Sequence, residues 1–129
     1  MDGDIVTLGN VDPTRDLVYI SDTVTGFIAA ATAEDAVGQT VHAGTGVDTS
    51  IGDLARLIGK LMGKDITIKS ESDRVRPPAS EVERLQADPS KARELLGWSP
   101  EHDLESGLTK TIEWFKANPK ALNQRGYVV

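Results

Sequence analysis

"QTVHAGTGVDTSIGDLARLIGKLMGK", Gln39 to Lys64, is the stretch that decides the fold class. Thr40 to Ala43 reads as a buried strand, Gly44, Thr45 and Gly46 as a tight turn, and the residues after Ser50 as a helix. Ser50 followed by Asp53 resembles a capping box, in which a hydroxyl takes the amide proton three residues on. Ile51, Leu54, Leu57, Ile58 and Leu61 recur at helical spacing and make a core-facing stripe, and Gly63 can end the helix. A strand, a glycine turn and a helix in that order indicate an α/β protein. They also invite a dinucleotide-binding reading, but the third glycine of G-x-G-x-x-G would fall on Thr49, so the fingerprint fails.

Upstream, Asp4 to Leu8 has a β-type pattern that Gly9, Asn10, Asp12 and Pro13 terminate. "TRDLVYISDTVTGFIAAA", Thr14 to Ala31, reads as a short strand from Leu17 to Ile20 running into a helix. Val24, Phe27, Ile28 and Ala31 fall at i, i+3, i+4 and i+7, one apolar helical stripe, with Ser21 or Asp22 as N-cap. Arg15 stands at the strand entrance, where it suits a phosphate or an ion pair with Asp16 or Asp12.

Downstream, a strand from Ile66 to Ile68 leads into "SDRVRPPASEVERLQAD", Ser72 to Asp88. Pro77 and Pro78 hold this segment extended, because each fixes its own φ and pushes the preceding residue out of the helical region. Arg74 and Arg76 are thereby presented as bidentate donors suited to phosphate, and Glu81 and Glu83 follow as acceptors suited to a sugar hydroxyl. The combination points to a nucleotide or nucleotide sugar; the alternative is a set of solvated surface ion pairs. "DPSKARELLGW" has Asp88 as cap, Pro89 at the first helical position and Gly97 at the end, with Trp98 packing on the core. "DLESGLTKTIEWFKANP" is the last helix, capped by Asp103, turning Leu104, Leu108, Ile112 and Phe115 inward and stopping before Pro119.

The 129 residues are 39% hydrophobic and 5% aromatic, enough for one domain whose core rests on Leu, Ile, Val and Ala. A formal net charge of −6 excludes non-specific binding to nucleic acid or an anionic membrane, so an anionic ligand needs a local arginine cluster. There is no cysteine, hence no disulfide, thiolate metal site or thiol nucleophile, which fits a cytoplasmic protein. No apolar run approaches the ~20 residues that span a bilayer. His42, in the predicted strand, and His102, in a turn, have no neighbour at metal-ligand spacing, and no metal site is expected. No serine lies in a G-x-S-x-G elbow, and nothing separates the pKa values of the "SEVER" carboxylates. The residues present no self-sufficient catalytic site.

Taken together, "TRDLVYISDTVTGFIAAA", "GTGVDTSIGDLARLIGKLMG", "RVRPPASEVERLQADPSKARELLGWSP" and "LESGLTKTIEWF" resemble, in order and spacing, the C-terminal part of the NAD-dependent epimerase/dehydratase family. These are extended short-chain dehydrogenases acting on nucleotide sugars, and the resemblance covers nearly the whole chain. The wording of "RVRPPASEVERL" and "SIGDLA" is most similar to UDP-N-acetylglucosamine 4,6-dehydratases of the legionaminic-acid type, with GDP-mannose 4,6-dehydratases and UDP-glucose 4-epimerases behind.

The resemblance implies that Arg15 and Arg76 hold a diphosphate, that Glu81 binds a ribose hydroxyl, and that Arg74 competes with Arg76 for its role. It implies NAD in the parent enzyme, with the glycine-rich NAD loop and the catalytic Tyr-x-x-x-Lys upstream of Met1. Tyr19 is followed four residues on by Thr23, and Tyr127 lies too near the end to supply that pair. The expectation is therefore an α/β chain with a few short strands and about four helices. Residues 1–129 form the nucleotide-sugar-binding portion of a 4,6-dehydratase or epimerase, with the N-terminal Rossmann domain as a missing partner. The alternatives are a non-catalytic binding or assembly module and half of a split enzyme. Apolar surface left uncovered then favours self-association, and the strand around Val41, without neighbours, favours pairing between copies.

Overall fold

In the computed structural model, which describes residues 5–71 and 82–122, short strands alternate with four helices, as the α/β reading requires. The order is β1 (Ile5–Leu8), β2 (Thr14–Asp16), α1 (Ile20–Thr32), β3 (Asp48–Ser50), α2 (Ile51–Leu61), β4 (Thr67–Ser70), β5 (Arg84–Leu85), α3 (Ser90–Leu96) and α4 (Leu104–Ala117). β1 and β4 form a parallel pair in which Ile5 faces Thr67 and Leu8 faces Ser70. β2 is the centre of a three-stranded sheet. It runs antiparallel to β3, with Thr14 opposite Ser50, and parallel to β5, with Arg15 opposite Leu85.

β3 passes straight into α2, and the first amides of that helix are satisfied from three sides. Ser50 Oγ accepts from the Asp53 amide at 3.0 Å, the expected cap. The amides of Ile51 and Gly52 donate to the carbonyls of Pro13 and Val11, at 3.1 and 2.9 Å. A helix start leaves four amides without intrahelical partners, so these bonds fix α2 to the turn between β1 and β2. Gly63 follows α2 with φ +67°, and Gly97 follows α3 with φ +61°, the left-handed stops expected of both.

Several boundaries differ from expectation. The strand predicted over Leu17–Ile20 lies at Thr14–Asp16, because Ile20 already belongs to α1. Tyr19, not Ser21 or Asp22, occupies the N-cap, with no side-chain cap bond, since the Asp22 carboxylate is taken up in the interior. The strand predicted over Thr40–Ala43 is irregular backbone that joins no ladder among the described residues. β4 extends from Thr67 to Ser70, past Ile68. α3 begins one residue late, with Pro89 at the cap and Asp88 Oδ1 accepting from the Ser90 amide at 3.0 Å. In α4, Asp103 caps as expected, but Phe115 lies outside the core.

The interior is small and partly polar. Ala92 and Trp98 are the buried hydrophobic side chains among the described residues, and Asp22 is the buried charged one. The Trp98 indole lies across α1, its Nε1 donating to Asp22 O at 3.1 Å and Thr25 Oγ1 at 3.0 Å. Gly26 makes this approach feasible: a Cβ there would meet the indole at 3.3 Å. The opposite side of α1 carries Ile20, Val24, Phe27 and Ile28, all exposed.

Candidate functional site

Arg15 is the one sequence-predicted ligand residue within the described structure; Arg74, Arg76 and Glu81 lie outside the described residues. Arg15 is half-buried in the central strand β2, and its Nη1 donates to the Thr14 carbonyl at 2.7 Å. The chain beyond Glu81 returns directly to this strand. The Thr14 amide donates to the Glu83 carbonyl at 2.8 Å, and Leu85 is the register partner of Arg15. The strand that presents Arg15 is thus joined to the segment leaving the arginine–proline stretch.

Asp16, next along β2, organises the surroundings. Its Oδ1 accepts from the Thr45 amide at 3.0 Å and the Thr45 hydroxyl at 2.6 Å; its Oδ2 accepts from the amides of Gly46 at 2.9 Å and Ala87 at 3.3 Å. One carboxylate thereby ties the end of β2 to the turn before β3 and to the segment after β5. Burial pushes the Asp16 carboxyl up, and the bonds from Thr45, Gly46 and Ala87 outweigh it, leaving it below the ordinary 3.8. The sequence offered Asp16 as an ion-pair partner for Arg15, whereas its oxygens serve these backbone amides.

The same contacts bear on the dinucleotide reading of the glycine turn. A phosphate cradle needs inward-facing amides free to donate. Here the amides of Thr45 and Gly46 already face an anion, and a Cβ on Gly44 would lie 2.3 Å from Ala87 Cβ and 2.8 Å from Asp16 Oδ2. The turn is closed by protein and does not fit a dinucleotide.

A second carboxylate, Asp48 in β3, accepts Arg84 in a two-pronged contact, Nε at 2.9 Å and Nη2 at 3.1 Å, and also accepts from Thr14 Oγ1 at 2.5 Å. The bonds from Thr14 and Arg84 hold its carboxyl below the usual range. β2, β3 and β5 are therefore joined by side chains as well as by their ladders.

Beside this sheet lies a cavity of about 520 Å³, within the size range of small-molecule sites. Leu17, Leu57, Leu104, Thr45, His102 and Thr49 line it, and Thr49 is the register partner of Arg15. Glu101, Asp103 and Glu105 also contribute, so its charge suits neutral hydroxyl groups and disfavours phosphate.

Sequence reasoning missed the pair behind the cavity. The Asp22 carboxylate, 2% exposed, accepts from the His102 amide at 3.0 Å and meets His102 Nδ1 at 2.9 Å. An ionised carboxylate only accepts, so Nδ1 carries the proton. The Tyr19 ring packs on His102 with centroids 4.8 Å apart. The two partners lie 80 residues apart, and no local spacing signals them. Among the described residues, no group of three His, Cys, Asp or Glu side chains is placed to hold a metal ion, and no helix is long and apolar enough to cross a membrane.

The fold matches solved structures over most of the chain. Residues 2–111 match the family model described as GDP-mannose 4,6 dehydratase, and the chain belongs to that family, within the NAD-dependent epimerases and dehydratases. It is 34% identical over 108 residues to a UDP-glucose 4-epimerase of Mycolicibacterium smegmatis, covering 84% of this chain and 33% of that protein. It is also 34% identical over 105 residues to a dTDP-glucose 4,6-dehydratase of the same organism, covering 81% of this chain and 30% of the relative. Among solved structures, UDP-glucuronic acid 4-epimerase from Bacillus cereus, in complex with UDP-glucuronic acid and NAD, superimposes with a TM-score of 0.73. It is 30% identical to this chain, with 87% of this chain and 35% of that one covered. The chain spans about a third of the length of the curated relatives it matches.

Proposed function

We propose that residues 1–129 are the C-terminal nucleotide-sugar-binding portion of an NAD-dependent sugar-nucleotide 4,6-dehydratase or epimerase. Arg15 and Arg76 hold the diphosphate, Glu81 binds a ribose hydroxyl, and Arg74 is the alternative second phosphate ligand. The observation that carries this reading is the β2–β5 pairing, which sets Arg15 beside the segment emerging from the Arg74–Glu81 stretch. Planar guanidinium forks suit a diphosphate, and a carboxylate suits vicinal hydroxyls. The acid-lined cavity beside Thr49 gives the uncharged sugar a separate place from the phosphates. NAD, held by the remainder of the enzyme, supplies the hydride acceptor. Equal identity to an epimerase and a dehydratase leaves the reaction to residues elsewhere. The wording of the Arg74–Leu85 stretch favours UDP-N-acetylglucosamine as substrate.

The test is calorimetric titration of the chain with UDP-N-acetylglucosamine and with UDP, beside Arg15→Ala and Arg76→Ala. Loss of a charge-assisted bond to phosphate weakens binding by about 1.5–3 kcal/mol, roughly 10- to 150-fold. Saturable binding unchanged in both variants removes the assigned roles. No heat from a chain that circular dichroism shows to be folded removes autonomous binding, and the two substitutions are then read in the longer enzyme.

A further inference from the structure

We propose that His102 is a specificity-determining residue of the acid-lined cavity, its Nε2 accepting a hydrogen bond from a hydroxyl of the sugar ring, which rests on that cavity being the place of the sugar. Asp22 is the positioning residue behind it, acting through the tautomer that it imposes on the imidazole.

His102 is fastened twice to one carboxylate. Its Nδ1 donates to Asp22 Oδ1 at 2.9 Å and its amide donates to Asp22 Oδ2 at 3.0 Å. Tyr19 packs against the ring with centroids 4.8 Å apart, so the imidazole cannot turn over without losing both contacts. A neutral imidazole carries one ring proton, and with that proton on Nδ1 the other nitrogen is an acceptor. Nε2 lies on the ring edge away from Asp22, and no described residue donates to it. Among the described residues, no buried side-chain nitrogen or oxygen lacks a partner. Nε2 is therefore open to solvent, on a side chain that lines the cavity.

Tying the start of α4 to α1 needs only the Nδ1 donor, which a side-chain amide also supplies. What an imidazole adds is the second nitrogen. Leu17, Leu57 and Leu104 give the cavity an apolar wall, while Glu101 and Glu105, like Nε2, only accept. A fitting ligand brings hydroxyl donors beside an apolar C–H face and no negative charge, as a pyranose ring does. The two glutamates are exposed, whereas the doubly held imidazole fixes a direction.

Nitrogen-15 NMR of the His102 ring, at about pH 8 and so above the ordinary imidazole range, reads the tautomer and the acceptor separately. His42, the other histidine, is the internal control. Free N-acetylglucosamine up to about 100 mM is the probe, so the result does not depend on the diphosphate contacts. The expected result is an unprotonated Nε2 whose resonance moves saturably with the sugar, and does not move with UDP, which lacks the pyranose. In Asp22→Asn, shown by circular dichroism to be folded, the proton should move to Nε2 and the sugar should bind about 3- to 10-fold more weakly, the worth of one hydrogen bond. Where that variant is unfolded, the titration of the parent chain decides. A protonated Nε2 in the parent, a resonance unmoved by the sugar, an equal response to UDP, or unchanged affinity after the tautomer inverts each overturns the proposal. UDP binding that persists beside a silent Nε2 removes this role of His102 and leaves the diphosphate contacts standing.

Discussion

Replacing Asp22 by Asn changes almost no volume and removes one charge at the most buried polar position of the described chain. Both carboxylate oxygens now accept: Oδ2 from the His102 amide and Oδ1 from His102 Nδ1. An amide has one acceptor oxygen: with that oxygen on the His102 amide, its NH₂ group faces Nδ1, which accepts once the His102 proton moves to Nε2. The variant exchanges a charge-assisted hydrogen bond, worth about 1.5–3 kcal/mol, for a neutral one worth about 0.5–1.5 kcal/mol. We expect a loss of about 1–2 kcal/mol at neutral pH, measured by equilibrium urea unfolding, a midpoint shift of about 0.5–1 M. The pH dependence is the sharper test. Burial pushes the Asp22 carboxyl up, but the side-chain and backbone bonds from His102 and its charge outweigh this and hold it below 3.8. A group whose folded pKa lies below its unfolded value stabilises the protein above the unfolded value, and that contribution is lost as pH falls through the folded one. The gap between parent and variant should therefore be full above about pH 5 and close progressively below 3.8. A loss under about 0.5 kcal/mol at neutral pH, or a gap that does not close in acid, refutes the reasoning.

Gly44→Ala places a methyl against Ala87 and Asp16 where no flexible side chain can yield, so the turn and the segment after β5 must separate. Unfolding titrations should show a loss of about 1–3 kcal/mol, as for an overpacked core position. Ser50→Ala removes the hydroxyl that accepts the Asp53 amide and should cost about 1 kcal/mol in the same assay, without altering the sheet contacts of Arg15.

What was legible in the sequence was local. The Ser50 and Asp103 caps, the glycine stops at Gly63 and Gly97, and the halt of α4 before Pro119 each depend on residues within a turn of one another, and the structure has them. The strand boundaries were less legible, because two- to four-residue strands carry too few alternations to separate Thr14–Asp16 from Leu17–Ile20. The periodicity of α1 identified a helix, but not which way its apolar stripe faces, since that depends on an indole arriving from Trp98. At the candidate site, Arg15 was proposed from its motif alone, whereas Asp16, Asp48 with Arg84, and Asp22 with His102 depend on partners 29 to 80 residues away.

The Asp16 carboxylate limits how freely the parts around Arg15 can be exchanged. A ligand loop on an ordinary scaffold can be swapped between relatives as a cassette, cut wherever the chain leaves the last strand. Here the segment following the arginine–proline stretch is fastened through the Ala87 amide to the same oxygen that receives Gly46. A chimera cut between Leu85 and Ala87 would join a foreign loop to a clamp shaped for another one. Grafts that carry the chain through Ala87, and keep Gly44 and Asp16 with it, preserve the unit; shorter ones split it.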